Sequence, residues 1–192
     1  MTELATSFDA GTVRLPMSWE TYDSLEYDDA YRGAEYMDGE LVVPPGFPSR
    51  GHQKAIRYLE DQLEHTLADG EEVISGFGWK PEGIEEEYGP DVMVYVPDGS
   101  ERRFTGTPLL CVEVTSGNRG NDMVRKRAKY AAAGLRDYWI VDRRDKTLRC
   151  HELRRGIFVE TATIPVAGDG AQAVQVTYAG RKVSLVLAGL FI

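Results

Sequence analysis

Apolar positions recur along the chain with two different periods. Between Arg50 and Gly70 they fall at Ile56, Leu59, Leu63 and Leu67, a spacing of three to four that predicts an amphipathic helix stopped by Gly70. A shorter stretch, MSWETYDSLEYDD, places Trp19, Tyr22 and Leu25 three apart behind Ser18, which reads as its N-cap. After residue 70 the period drops to two. EEVISGFGW reads as one strand. PDVMVYVP reads as a second, with Asp91, Met93 and Tyr95 on one face and Val92, Val94 and Val96 on the other. LLCVEVT is a third strand, NDMVRKRAKYAAAG a helix ended by Gly134, and DYWIVD a fourth strand. Hairpins are predicted at AEYMDGELVVPP, around the Asp38-Gly39 turn, and near the C-terminus at LRCHELRRGIFVET and QVTYAGRKVSLVL. The central order of helix, three strands, helix and strand predicts an α/β (α+β) domain: a mixed sheet flanked by helices.

One position breaks this pattern. Glu113 interrupts the apolar run from Leu109 to Val114, on the face shared by Leu109, Cys111 and Thr115. Asp91 opens the preceding strand. If those strands pair, the two carboxylates meet at one end of the sheet. Adjacent carboxylates repel in a partly dry site and persist when a divalent cation or a fixed ammonium neutralises them. Hard oxygen donors suit magnesium or manganese. Taken singly, each has a plainer reading, Asp91 as a turn residue after Pro90 and Glu113 as a solvent-facing group on an edge strand.

The nearest cation is Lys126, which shares a helical face with Met123, Tyr130 and Ala133. A competing stripe of Val124, Ala128, Ala131 and Leu135 leaves open which face meets the sheet. It also leaves open whether Lys126 is one more solvated base beside Arg125, Arg127 and Lys129.

At 192 residues the chain is long enough for one domain with a sizeable core and short for two. Residues 1–16 read as an N-terminal tail and 17–192 as a single domain. No apolar run is long enough to span a bilayer, and the N-terminus lacks the basic start and apolar core of a signal peptide, so the expectation is a cytoplasmic protein with no membrane partner. The two cysteines, Cys111 and Cys150, fit neither a redox pair nor a zinc framework. The net charge of −9 argues against indiscriminate nucleic-acid binding, but the charge is uneven. Residues 1–40 hold ten acids and two bases, whereas residues 119–155 hold twelve bases and five acids, a segregation that fits either an interaction face or a solvated basic segment.

These segments together resemble a known family. EYMDGELVV, a histidine early in the following helix, PDVMVYV, and VEVTSGNRGNDMVRKRAKYAAAGLRDYWIVD are similar to the bacterial putative restriction endonuclease family, long carried as a domain of unknown function, within the PD-(D/E)XK nuclease superfamily. The likeness runs over residues 17–190 and rests on the order and spacing of loose motifs. It implies a restriction-endonuclease-like core with an N-terminal hairpin and C-terminal β-hairpins. It implies that Asp91 and Glu113 bind a catalytic Mg2+ (or Mn2+), that Glu35 is a further acidic ligand or positions water, and that His52 and Asp122 support the site. The superfamily usually places a lysine two residues after the strand acid. Here that position is Thr115, so Lys126 would supply the ammonium from the helix. The chain departs from the family at Ser116, Gly117 and Asn118, where a proline is usual. The implied substrate is DNA, with the basic segment after Ser116 on its backbone. Superfamily members often pair, so the resemblance admits a homodimer.

Other chemistries find no motif: GFGWKPEG lacks dinucleotide-loop spacing, no GxSxG elbow exists, and His52, His65 and His151 lack HExxH spacing. Two further readings stay open. One is a non-catalytic nucleic-acid-binding or accessory protein on a nuclease fold; the other is an interaction domain whose acidic N-terminal part docks on a basic partner.

Overall fold

The computed structural model describes residues 8–9, 12–25, 33–44, 46–115, 120–166 and 172–191; for 8, 9 and 120–122 it describes the backbone alone. The altered SGN turn therefore lies outside the described residues. The elements in chain order are β1 (Phe8–Asp9), β2 (Thr12–Pro16), α1 (Trp19–Asp23), β3 (Glu35–Met37), β4 (Glu40–Val43), α2 (Arg50–Glu64), β5 (Glu72–Ser75), β6 (Gly78–Trp79) and β7 (Val92–Tyr95). They continue with β8 (Arg103–Phe104), β9 (Leu110–Thr115), α3 (Gly120–Ala132), β10 (Asp137–Asp142), β11 (Thr147–Arg154), β12 (Ile157–Pro165), β13 (Ala173–Tyr178) and β14 (Arg181–Val186), and end in a 3-10 turn, Ala188–Phe191.

Six strands form the main sheet in the order β12-β11-β10-β9-β7-β5. Within this sheet β9 and β10 run parallel, joined by α3 as a βαβ crossover, and its other pairs are antiparallel. Strand alternation sorts the core into two halves. Val92, Val94, Val112, Val114, Trp139 and Val141 pack against Ala55, Ile56, Leu59 and Leu63 of α2 and against the β13–β14 hairpin. Met93, Tyr95, Cys111 and Tyr138 point to the opposite face, toward Tyr130, Ala131 and Leu135 of the α3 region and toward Trp79 and Tyr88. The sheet is thus sandwiched, and β9 is interior, with Glu113 buried rather than solvent-facing. Burying each large apolar side chain of α2 contributes about 1.5–3 kcal/mol, which is what holds that helix on the sheet.

Three expectations shift. Gly70 does not stop α2. The helix ends at Glu64, where Thr66 turns back to give both its amide and its hydroxyl to the Leu63 carbonyl, and Gly70 makes the next turn at φ +80°. The single strand read in EEVISGFGW breaks at Gly76, whose φ of +65° no strand continues through. β5 joins the main sheet, whereas β6 pairs with β8 in a separate two-stranded ladder, so five strands rather than three lie between α2 and α3. Finally, β2 falls inside the span read as a tail, yet it pairs along its length with β4 in a second sheet of order β1-β2-β4-β3. The Asp38-Gly39 turn, the Ser18 cap of α1 and the Gly134 stop of α3 stand where the sequence places them. No helix among the described residues is long and apolar enough to cross a membrane.

Candidate active site

Antiparallel pairing of Val92 with Val112 puts Asp91 beside the end of β9 that carries Glu113. Asp91 Oδ2 accepts the Val114 amide at 2.7 Å, and its Oδ1 lies 3.2 Å from His52 Nε2 in the first turn of α2. Ser49 caps that turn by accepting the His52 amide, which fixes the histidine over the sheet. Glu113, in the neighbouring strand, is covered by α3. Tyr130 gives its hydroxyl to Glu113 Oε1 at 2.8 Å, and Lys126, one helical turn earlier, brings Nζ to 3.2 Å and 3.3 Å from the two Glu113 oxygens. The same ammonium is 2.9 Å from Glu35 Oε1 on β3 and donates to the Gly89 carbonyl. Glu35 Oε1 also accepts the Gly89 amide at 2.7 Å, so one glycine residue holds the acid and the base together.

The face of α3 that meets the sheet is therefore the one bearing Lys126 and Tyr130, joined by Ala131; Val124 is 72% exposed. Lys126, Glu35 and Glu113 are all buried, whereas the Asp91 side chain keeps 21% of its surface. Access from solvent is at Asp91. Burial pushes the Glu113 carboxyl well above the usual range; Lys126 opposes that rise, and the neighbouring Asp91 and Glu35 add to it. Burial likewise pushes the Tyr130 hydroxyl up, so it stays a donor to Glu113.

Among the described residues, one ammonium stands against three carboxylates. The donors are hard oxygens, the type a divalent cation takes, and Lys126 already neutralises part of their charge. No group of three or more His, Cys, Asp or Glu side chains among the described residues is arranged to hold an ion.

The structure thus brings together Glu35, His52, Asp91, Glu113 and Lys126. The Asp122 side chain lies outside the described residues. Thr115 sits at the strand position two beyond Glu113 and turns its hydroxyl toward the Val141 carbonyl, at 3.4 Å. Two participants escaped sequence reasoning. Tyr130 was legible only as a neighbour of Lys126 on the helical wheel, and Gly89 acts through its backbone, which leaves no trace in residue type. The other bases of α3 are spent within the protein. Arg125 and Lys129 converge on Asp38, Lys129 also reaches Glu86 at 2.5 Å, and Arg127 donates to the Phe158 carbonyl.

The mixed sheet, with α2 packed on one face and the β9-α3-β10 crossover on the other, is a restriction-endonuclease-like fold. A solved structure matches it across most of both chains: a putative nuclease belonging to DUF820 from Anabaena variabilis, with a TM-score of 0.68, 13% identity, and coverage of 92% of this chain and 98% of that one. The chain belongs to the Uma2 family, described as "Putative restriction endonuclease", which matches residues 19–183. No curated protein matches it.

Proposed function

We propose that this protein is a metal-dependent endonuclease that hydrolyses DNA phosphodiester bonds. The observation that carries this reading is the convergence of Lys126 on Glu35 and Glu113 beside a solvent-accessible Asp91. Family membership supports the same reading. Asp91 and Glu113 would hold Mg2+ or Mn2+, and when bound such an ion polarises a phosphoryl oxygen and lowers the pKa of water.

The chain's own groups have separate tasks. The Val114 amide and His52 fix both oxygens of Asp91, so the carboxylate is oriented before substrate arrives. Tyr130 orients Glu113. Lys126 offers a buried ammonium next to the acids, placed to stabilise negative charge that builds on a phosphate in the transition state. Glu35, pinned by the Gly89 amide, holds Lys126 and would position an attacking water.

The test is plasmid cleavage in Mg2+ or Mn2+ by wild type, Asp91→Ala and Glu113→Ala. Loss of cleavage in both variants is expected, and cleavage that survives both sinks the proposed site. One observation favours a second reading, a non-catalytic binding protein on this fold: Lys126 sits directly on both Glu113 oxygens, the atoms a cation would use. DNA binding without cleavage in either metal would decide for it.

A further inference from the structure

Because Arg125, Lys129 and Arg127 are committed within the protein, α3 has little charge left for a phosphate backbone. Uncommitted cations lie elsewhere at the same end of the sheet. Arg50, Lys54 and Arg57 project along one exposed stripe of α2, and among the described residues none of them is in an ion pair. They span about 10 Å along the helix, the run of about three phosphates at one strand's axial spacing. They line an open groove of about 490 Å³ with Gln53 and Ser75, and Glu60 closes its far end.

The arrangement opposes the helix's own electrostatics. The first turn of α2 carries no acid and the last turn no base, while Asp61 and Glu64 sit at the C-terminal end. Cations near a helix N-terminus and acids near its C-terminus are both unfavourable, and an anion held on the N-terminal cations offsets the first of these.

Arg143 adds a fourth cation. Its amide bonds the Thr115 carbonyl at the end of β9, and its guanidinium lies flat on Gly51 in the first turn of α2. A Cβ at Gly51 would come within 2.9 Å of the Arg143 Cζ and closer still to both terminal nitrogens, so only glycine admits that pose. Among the described residues the buried Arg143 Nε has no hydrogen-bond partner. The groove also adjoins the site. Ser75 pairs with Val92, the residue after Asp91, and His52 in the same turn contacts Asp91.

We infer that the first two turns of α2, with Arg143 seated on Gly51, form the surface that holds the backbone of a DNA duplex and delivers a phosphate to the Asp91 side of the site. This rests on the nuclease reading for its substrate, but not for its geometry.

The test is fluorescence anisotropy with a short labelled DNA duplex in EDTA, across a salt series, beside a plasmid-cleavage assay in Mg2+. Each lost phosphate contact lowers the slope of log affinity against log salt by about 0.9. Arg50→Gln/Lys54→Gln/Arg57→Gln is expected to lower it by about 2–3 and to weaken binding at least about tenfold at 0.1 M salt. Arg143→Gln should lower the slope by about 1, and Gly51→Ala should weaken binding by displacing that guanidinium with no fall in Tm. The control, Arg155→Gln/Lys182→Gln, removes exposed bases that do not line this groove and should leave the slope unchanged. An unchanged slope in the triple variant, or an equal fall in the control, overturns the inference; if the protein still nicks plasmid, the nuclease reading stands. Binding through this face with no cleavage supports the inference and removes the nuclease reading. A wild type that neither binds nor cleaves DNA overturns both.

Discussion

Replacing Lys126 by methionine keeps the length of the side chain and removes its charge, leaving Glu113 and Glu35 buried against each other. The ammonium lies 3.2 Å from Glu113 Oε1 and 2.9 Å from Glu35 Oε1. At an effective dielectric near 20, each contact amounts to about 5 kcal/mol of gross attraction, most of it offset by the cost of drying the charges. The net loss is larger than for a surface pair because the remaining carboxylates stay buried with their counter-ion gone; about 3–5 kcal/mol is expected. For a chain of 192 residues, at roughly 2–4 °C per kcal/mol, this is a fall in Tm of about 6–20 °C. Urea denaturation of wild type, Lys126→Met, Glu113→Gln and the double variant closes the cycle. Glutamine keeps an oxygen for the Tyr130 hydroxyl while removing the charge, so the double variant should recover at least about 2 kcal/mol relative to Lys126→Met alone. A Lys126→Met cost below about 1 kcal/mol, in the range of a surface pair, would refute the claim that the lysine neutralises buried acids.

Tyr130→Phe removes a donor to a buried carboxylate and should cost about 1.5–3 kcal/mol in the same urea assay, with the fold intact by circular dichroism. Asp137 is buried, and burial raises its carboxyl pKa although its Oδ2 accepts the Ala179 amide. Its folded pKa lies above the unfolded value, so the folded state binds more protons and loses stability as pH rises through that window. Asp137→Asn should therefore raise Tm at pH 7 and give no gain below pH 4; equal gains at both pH values would contradict this. Thr115→Lys placed in Lys126→Met returns a cation to the strand position beyond Glu113 and should restore part of the lost stability; no recovery would mean that the position cannot reach the carboxylates.

Most of the fold was legible because burial is periodic. The two faces of β7 and β9 separate in space as their alternation separates them in sequence, and α2 buries Ile56, Leu59 and Leu63 as its stripe requires. What was not legible depended on competition between local signals. Gly70 is a proper helix stop, but Thr66 acted first by bonding back to Leu63. EEVISGFGW has strand-like composition throughout, but one glycine at positive φ splits it between two sheets. The pairing of β2 with β4 depends on the Asp38-Gly39 hairpin presenting an edge, which no window around residues 12–16 contains.

The site divides along the same line. That Glu113 and Asp91 would adjoin follows from residue type and strand order, because a carboxylate in an apolar strand demands a partner. The identity of the partner was undecidable from periodicity, since α3 has two apolar stripes of similar quality and four bases around them. Packing decides it through Tyr130. A large side chain buried among Trp79, Tyr88 and Tyr138 fixes the rotation of the helix. Lys126, four residues before it, is then carried onto Glu113 by the helical repeat. The same rotation turns Arg125 and Lys129 toward Asp38 and Glu86, where they serve docking rather than binding. One aromatic anchor thus assigns the bases of α3 to the acids of the site and the surface.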